Sequence, residues 1–337
     1  MGVNLKDLVV RHNISLADLK GRTLIVDGYN MLYQFLTTIR ARDGAMLTSS
    51  SGAVTSHLIG LFSRVTKLMQ KGIRLAFVFD GTPPKIKHKE LARRKELKIK
   101  AKAKYEKALA EEDVDTMRKF AARTTRLTPE MVESAKVLLT HLGIPYVQAP
   151  SEGEAQASYM VAKGDAWAVA SQDFDSLLYG TPHLIQNLSI EGRRKLPGKF
   201  AYTTVEPKLV DLKETLKKLN IDREKLIWLS MLVGTDYNPK GVARIGPKKG
   251  LALVQQHDTA ESLFSSVELA DDVSWKDVLD TFHNMKTTDK YVLEWNPVDR
   301  KAIFKFLVND HDFSPERVDK TLDQLCPEKG QATLGDF

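Results

Sequence analysis

The chain has 337 residues, of which 42% are hydrophobic and 28% charged, and its formal net charge is +7 at pH 7. This composition predicts a folded protein with a large core and excludes a largely disordered chain. No apolar run is long enough to span a bilayer and the amino terminus lacks a signal-peptide pattern, so we expect a cytoplasmic protein without membrane contact. The single cysteine, Cys326, excludes an intrachain disulfide, and no Cys/His cluster suggests zinc.

Hydrophobic periodicity predicts alternating strands and helices in the first quarter of the chain. Residues 1–22 are expected to form a short helix and a turn, followed by a strand at TLIV and a helix at GYNMLYQFLTTIRA. A second helix is predicted at TSHLIGLFSRVTKLMQKG, with Thr55 as its cap and Gly72 at its end, and a buried strand at IRLAFVFD. This order of strand, helix, helix and strand indicates a parallel sheet.

The segment 82–128 interrupts the α/β pattern after Pro83 and Pro84. Within it, residues 85–107 hold eleven Lys or Arg against three Glu, a net charge of +8, so the other 314 residues sum to −1. The segment carries little apolar face, which predicts a helical excursion that packs sparsely on the core. A solvated helix face or a charged linker explains the same composition, whereas a cationic element beside an acidic cleft suits a polyanionic ligand.

A second round of helices and strands follows this excursion. A helix with Pro129 in its first turn is predicted at TPEMVESAKVLLTHLG, then a strand at IPYVQA, a helix at EGEAQASYMVAKG and a strand at WAVAS. HLIQNLSI and KFAYTTV are predicted to pair as a hairpin around the basic turn EGRRKLPGK, before a helix at REKLIWLSMLVG. The fold class is therefore α/β, with a central, mostly parallel sheet flanked by helices and a mostly helical C-terminal third.

Seven carboxylates stand where apolar runs end. They are Asp27, Asp80, Glu152, Glu154, Asp173, Asp175 and Asp236. In an open α/β sheet, ligands gather outside the carboxyl ends of the parallel strands, so these side chains are expected to share one cleft. Their charges repel one another unless a cation lies between them. Ligation by oxygen alone suits Mg²⁺ or Mn²⁺, and seven carboxylates are too many for one Mg²⁺ but suit two.

Other roles are open for several of these residues. Ser151 and Glu154 have the spacing of a capping box, and Asp175 could cap the helix that begins at SLLYG. Asp236 could open a turn with Asn238 and Pro239. Capping and metal binding are compatible roles for one side chain.

The stretch TDYNPKGVARIGPKKGLALVQQH resembles a helix–loop–helix with a Gly-rich turn. The run Gly246-Pro247-Lys248-Lys249 would offer free backbone N–H groups at a helix start, with the lysine side chains beside them. Such a helix start can bind a phosphate group. An ordinary helix start with solvated lysines fits the same residues.

In their chain order, these motifs resemble the flap endonucleases, the structure-specific 5′ nucleases of DNA replication and repair. The similarity extends from MGVNLKDL to QATLGDF through VDGYN-x-LYQF, TSHL-x-GLF, FVFDG-x-PP, APSEGEAQA, SQDFDSLL, LVGTDYN and IGPKK. The length and tail are most similar to archaeal members, which implies a nucleoid-associated protein. The resemblance implies a 5′ flap endonuclease with 5′–3′ exonuclease activity that hydrolyses phosphodiesters on branched double-stranded DNA.

The resemblance also implies two metal groups for two Mg²⁺ ions, for which Mn²⁺ can substitute. The residues that match the first group are Asp27, Asp80, Glu152 and Glu154. Those that match the second are Asp173, Asp175 and Asp236. Gly2 matches a residue that lies near the active site after removal of Met1.

The same resemblance implies a set of DNA contacts. Lys87 and Arg94 match the basic pair at the base of a helical arch, here residues 82–128, which steers the scissile phosphodiester. Tyr33 matches an aromatic residue that stacks on a nucleobase near the cut. A helix–two-turn–helix near 226–256 is expected to grip duplex phosphates, often with K⁺. Its candidate contacts, together with those of the basic turn, are Gly246, Lys248, Lys249, Arg193 and Arg194.

Two positions depart from the family pattern. Arg244 stands where the family turn usually has its first Gly, which affects the expected K⁺ site and the local backbone. The tail resembles a motif that binds a sliding clamp of the PCNA type, and Gln331, Leu334 and Phe337 fit it. The second aromatic residue of that motif is missing, so we expect modest clamp affinity. A frayed terminus is the alternative.

We expect a monomer with one nuclease domain and a flexible clamp-binding tail. The predicted divisions are 1–81, the arch at 82–128, 129–260 and the helical part 261–325, which together form the nuclease domain 1–325, and the tail 326–337.

Two other functions are compatible with parts of the pattern. An RNase of the related small acidic-nuclease fold would lack the basic excursion and the phosphate-binding turn. A non-catalytic adaptor for branched DNA or a clamp would have lost some of the carboxylates, and all seven are intact.

Overall fold

The computed structural model describes residues 2–41, 43–111, 113–190, 192–195, 202–270 and 273–326. Strands alternate with helices or groups of helices between residues 23 and 186. The strands are β1 Arg11–Asn13, β2 Thr23–Asp27, β3 Arg74–Phe79, β4 Tyr146–Gln148, β5 Ala168–Ala170, β6 His183–Gln186, β7 Gly192–Lys195, β8 Tyr202–Val205 and β9 Lys208–Asp211.

The helices flank the sheet and form the C-terminal third. They are α1 Gly28–Thr38, α2 Ser56–Gln70, α3 His88–Ala110, α4 Val114–Ala121, α5 Pro129–His141, α6 Gly153–Lys163, α7 Asp175–Leu178, α8 Leu212–Leu219, α9 Arg223–Val233, α10 Pro247–Gln256, α11 Ala260–Ser265, α12 Trp275–His283, α13 Arg300–Phe304 and α14 Pro315–Leu325. A π-helical turn at Lys305–Asn309 continues α13.

The central sheet has seven strands in the order β1-β9-β6-β5-β2-β3-β4. The five strands from β6 to β4 run parallel, while β9 pairs antiparallel with both β6 and β1. The chain first moves from β2 outward to β3 and β4, then returns to β5 on the other side of β2. The strand order therefore reverses between β2 and β5, and an open α/β sheet binds its ligands outside the carboxyl ends of the strands at such a point.

Alternate residues of the parallel strands face two separate hydrophobic clusters. Leu24, Val26 and Phe77 belong to the cluster that includes residues of α1, α2, α5 and α14. Ile25 and Val78 belong to the other cluster, with residues of α6, α9, α10 and α12. Because both faces of the sheet are covered by helices, its strands read as continuous apolar runs that end abruptly at the carboxylates.

The predicted α/β fold is confirmed, and two local predictions are wrong. Residues 11–13 form an edge strand instead of the expected helix, because β9 supplies an antiparallel partner that no local pattern reveals. HLIQ is a strand of the central sheet, parallel to β5, and the hairpin pairs β7 with β8. Arg193 and Arg194 consequently lie in a strand and not in a turn.

The arch contains α3 and α4, which pack mainly on each other and leave several large apolar side chains of α3 exposed. The N-terminal end of the arch is anchored to the core, because Ile86 packs against the hydrophobic cluster that contains Ile25 and Val78. Thr55 precedes α2 without a side-chain capping bond, whereas Thr128 caps α5 and accepts from Met131 N at 3.4 Å. No helix in the described ranges is long and apolar enough to cross a membrane.

Candidate active site

Asp27 is the last residue of β2 and the N-cap of α1. Its Oδ1 accepts a hydrogen bond from Asn30 N at 2.9 Å, and its Oδ2 accepts one from Ser171 Oγ at 3.2 Å. Aspartate is a favoured N-cap because it satisfies a free N–H group of the first helical turn. The strand therefore ends in a carboxylate that is fixed at the point where the strand order reverses.

Asp80 and Glu152 follow the neighbouring strands β3 and β4. Gly153 N donates to Asp80 Oδ1 at 2.6 Å, and a Cβ at Gly153 would lie only 2.7 Å from that oxygen, so this approach requires glycine. The capping-box interpretation is wrong: Glu152 is the N-cap of α6 and makes no capping bond, while Ser151 Oγ donates to Thr82 O at 2.9 Å. The carboxyl group of Glu152 is thus directed to the site and not to its own helix.

Asp173 and Asp175 follow β5 and contact the amino-terminal segment. Asp173 accepts from Asn30 Nδ2 at 2.9 Å and from Gly2 N at 3.2 Å. Asp175 accepts from Val3 N at 2.7 Å. The N-cap of α7 is the preceding residue, so the proposed capping role of Asp175 is also wrong. A Cβ on Gly2 would lie 2.6 Å from Asp175 Oδ2, which makes a larger residue at that position incompatible with this packing.

Asp236 faces two cations of the arch. Its turn is held by Thr235 Oγ1, which donates to Asn238 Oδ1 at 2.6 Å, so the Asp236 carboxylate takes no part in these turn bonds. Lys87 Nζ lies 3.1 Å from Asp236 Oδ2 and also contacts Glu152 Oε2. Arg94 Nη2 donates to Asp236 Oδ1. The arch is therefore joined to the acidic cleft by ion pairs at its first helical turns.

Burial and mutual repulsion alter the titration of the carboxyl groups. Burial, followed by the charge of Asp80, raises the pKa of Asp27 to about 7. Burial, followed by the charge of Asp236, raises the pKa of Asp175 to about 7. Burial is also the largest cause of the raised pKa values of Asp80, Glu152 and Glu154. Each of these groups is destabilised in its charged form unless positive charge is added.

The two cations have the opposite effect on Asp236. Burial alone would raise its pKa, but Lys87 and Arg94 outweigh burial and lower the pKa below its ordinary value. Burial by itself would lower the pKa of Lys87, but the negative charges of Glu152 and Asp236 outweigh burial and raise it. The acidic site therefore needs positive charge to keep its carboxylates ionised, and Lys87 and Arg94 supply part of that charge.

The chemistry of the donors fits hard divalent cations. All seven side chains offer carboxylate oxygen, the ligand type preferred by Mg²⁺, and they form one mutually interacting set of acids. Across the described ranges, no three His, Cys, Asp or Glu side chains converge as a ready metal site. Lys87 lies between Glu152 and Asp236, where it balances charge that a metal would balance.

Tyr33 lies beside the arch on α1. Its hydroxyl donates to Thr125 O at 3.2 Å, and Lys98 Nζ lies 5.1 Å from the centre of its ring. Arg40, two residues beyond the end of α1, donates through Nη2 to Thr125 Oγ1, so α1 and the residues after it contact the end of the arch at two positions. The predicted base-stacking residue is consequently half-buried beneath α3.

The Gly-rich turn lies at the start of α10, which packs on α9. Gly246 is the N-cap and is exposed, as are Lys248 and Lys249. Arg244 has φ of +64°, the left-handed conformation that favours glycine. Arg244 therefore adopts a backbone conformation that glycine favours although it is not glycine. Nothing is described for the side chains of Arg193 and Arg194, and Gln331, Leu334 and Phe337 lie outside the described residues.

Three supporting residues were missed in the sequence. Asn30 and Ser171 bind the carboxylates of Asp173 and Asp27, and both stand within three residues of a predicted metal ligand. Glu90 accepts a hydrogen bond from Arg94. The spacing of four residues on a predicted helix could have indicated this ion pair from the sequence.

Family comparisons agree with this arrangement. The XPG N-terminal domain matches residues 1–101 and the XPG I-region matches residues 143–236, so that the two matches include all seven carboxylates. Fold and site together define a hydrolytic nuclease of the XPG class.

Sequence similarity to two named relatives identifies the family within this class. Flap endonuclease 1 of Staphylothermus marinus is 47% identical over 330 residues, covering 96% of this chain and 94% of the relative. Flap endonuclease 1 of Pyrococcus abyssi is 49% identical over 325 residues, with 96% and 94% covered. The chain belongs to the flap endonuclease family, the nucleases that remove 5′ flaps in DNA replication and repair.

Solved structures show the same fold. Flap endonuclease-1 from Methanococcus jannaschii superposes with a TM-score of 0.76 at 42% identity, covering 96% of this chain and 98% of that one. The catalytic core of Rad2 in complex with DNA substrate has a TM-score of 0.70 at 22% identity, covering 96% of this chain and all of the other, and supports the fold alone.

Proposed function

We propose that this chain cleaves 5′ flaps near the duplex junction in a Mg²⁺-dependent reaction at the acidic cleft. The proposal depends on one observation. Carboxylates from the ends of adjacent parallel strands lie in a cleft where two cations of the arch, Lys87 and Arg94, form ion pairs with Asp236. An acidic centre joined to a basic arch can act on a polyanion, because each part balances the charge of a different phosphate or metal.

Two groups of ligands would hold two Mg²⁺ ions, with Mn²⁺ as a substitute. The first group is Asp27, Asp80, Glu152 and Glu154, and the second is Asp173, Asp175 and Asp236. When bound, the ions would lower the pKa of a water molecule and neutralise charge on the leaving oxygen. The surrounding bonds from Asn30, Ser171 and Gly153 fix three of the carboxylates in advance.

Lys87 and Arg94 would supply positive charge to the scissile phosphodiester. Both lie at the start of the arch and contact Asp236, so they are within reach of any group bound between the carboxylates. Stabilising charge that develops on the phosphoryl oxygens is the effect expected of such positioned donors.

The DNA flanking the cut would be held by phosphate contacts, so recognition depends on DNA shape more than on sequence. The exposed start of α10, with Gly246, Lys248 and Lys249, would bind the duplex backbone, with K⁺ as an additional ion. Arg193 and Arg194 would add contacts from β7. The free 5′ strand would pass beneath the arch, where Tyr33 would stack on a base once Lys98 moves from its ring.

A 5′-labelled double-flap DNA incubated with Mg²⁺ tests this function. Cleavage near the junction, leaving a ligatable nick, is expected, and thorough chelation with EDTA should abolish it. Activity that persists after chelation would contradict the assignment of the carboxylates to metal ions. A substrate lacking the 5′ flap serves as the specificity control.

A further inference from the structure

Glu90 is a buried carboxylate in the first turn of helix α3, whose other charged side chains are exposed or half-buried. Only 4% of its surface is accessible, in contrast to its neighbours on the helix. Its oxygens accept bonds from Arg93 Nε at 2.6 Å, Arg93 Nη2 at 2.8 Å and Arg94 Nε at 2.7 Å. The two guanidinium groups thus hold the carboxylate between them, and that of Arg94 also reaches the acidic cleft.

Arg94 is held at two points through this contact. Its Nε donates to Glu90, while its Nη2 donates to Asp236 on the opposite side of the cleft. Arginine has many rotamers, and a planar guanidinium bound on two edges retains few of them. Glu90 therefore restricts the orientation of the group that the proposed function places on the phosphodiester.

The favourable interaction of an acidic side chain with the helix dipole does not explain this arrangement. An acidic residue in the first turn is favoured by the helix dipole, but that effect requires neither burial nor contact with Arg94. Glu96 provides a comparison on the same helix, because it pairs with Lys100 four residues later and both side chains are mostly exposed. The two glutamates differ in that only Glu90 connects to the cleft.

We propose that Glu90 is a positioning residue for the cleavage reaction and acts through Arg94. The inference rests on the proposed role of Arg94 at the scissile phosphodiester. Loss of the Glu90 charge would release one edge of the guanidinium, so that Arg94 pairs with Asp236 in several orientations. A small displacement of a catalytic group can reduce a rate by about 100-fold, and the loss expected here is about 10- to 100-fold.

A double-mutant cycle tests this mechanism. The single-turnover cleavage rate and the flap Kd are measured for Glu90→Gln, Arg94→Ala and the double variant, with Glu96→Gln as the matched control. Glutamine preserves the size of Glu90, and the melting temperature of each variant verifies folding. We expect Glu90→Gln to lower the rate with little change in Kd, and to have no further effect in the Arg94→Ala background, because residues that act through one group are not additive.

The outcomes separate this inference from the proposed function. A normal rate for Glu90→Gln alongside a slow Arg94→Ala would overturn the role of Glu90 and leave that of Arg94 intact. Losses that multiply in the double variant would also overturn it, because Glu90 would then act independently of Arg94. A normal rate for Arg94→Ala would instead contradict the proposed function itself. An equal loss in Glu96→Gln would show a general effect of helix charge and contradict the inference.

Discussion

Asp27 has a pKa near 7 in the folded protein because of burial and the charge of Asp80, compared with its ordinary value of 3.8. Between these two values the folded state binds more protons than the unfolded state. The free energy of unfolding of the metal-free protein therefore decreases as the pH rises from about 4 to about 7. Above about pH 7 this contribution to stability is lost completely. A divalent cation that balances the charge should restore it.

We predict that Asp27→Asn stabilises the metal-free protein at pH 8 by on the order of 2 kcal/mol. Asparagine can still accept the bond from Asn30 N, so the cap of α1 is retained. The difference in melting temperature between variant and wild type should grow from pH 5 to pH 8, and it should shrink when Mg²⁺ is added.

Asp18→Asn is the control for this measurement. Hydrogen bonds from Ser15 lower the pKa of Asp18, so it is ionised in both states between pH 5 and pH 8. The effect of its substitution should be constant over that range. A difference for Asp27→Asn that does not change with pH would contradict the raised pKa.

The helix–two-turn–helix contains a residue in an unfavourable backbone conformation. Arg244 has φ of +64°, for which a non-glycine residue costs about 1–2 kcal/mol. We predict that Arg244→Gly raises the free energy of unfolding by about 0.5–1 kcal/mol, since part of the relieved strain is offset by the greater freedom of glycine in the unfolded chain. Urea denaturation of both proteins measures the change.

Ala243→Gly is the matched control in the same turn, because Ala243 does not have a positive φ. That substitution should destabilise the protein through unfolded-state entropy alone. A loss of stability in Arg244→Gly equal to that in Ala243→Gly would show that the left-handed conformation carries no strain in this turn.

The parallel strands and amphipathic helices could be predicted because each has a strong local period. The prediction failed where a partner distant in sequence decides the structure. Residues 11–13 become a strand only through β9, and HLIQ joins the central sheet because β5 lies beside it. The approach of the carboxylates to one another could be predicted from the ends of apolar runs, and their role as metal ligands stays a prediction. The bonds among Lys87, Glu90 and Arg94 depend on how α3 is oriented over the cleft.

At the scale of the molecule, catalysis and recognition are assigned to separate parts of the chain. The acidic cleft lies at the reversal of strand order, the arch adjoins it, and the exposed turn before α10 follows α9 later in the chain. The clamp-binding tail was predicted from sequence alone. Residues 327–337 of this tail lie outside the part of the chain that the structure describes.

Deletion of residues 331–337 should therefore leave cleavage in the absence of a clamp unchanged and remove stimulation by the cognate sliding clamp. A clamp titration of the full-length and truncated proteins measures both effects. Full stimulation of the truncated protein would show that the tail is only a terminus.

The central claim is that the carboxylates at the strand ends form the catalytic centre, whereas most of the DNA affinity comes from phosphate contacts elsewhere. Asp173→Ala tests it most directly, because Asp173 follows β5 at the point where the strand order reverses and receives bonds from Asn30 and Gly2. With double-flap DNA and Mg²⁺, the variant is predicted to lose cleavage while its flap Kd stays within a few-fold of wild type. Near wild-type turnover of Asp173→Ala under these conditions would contradict the account.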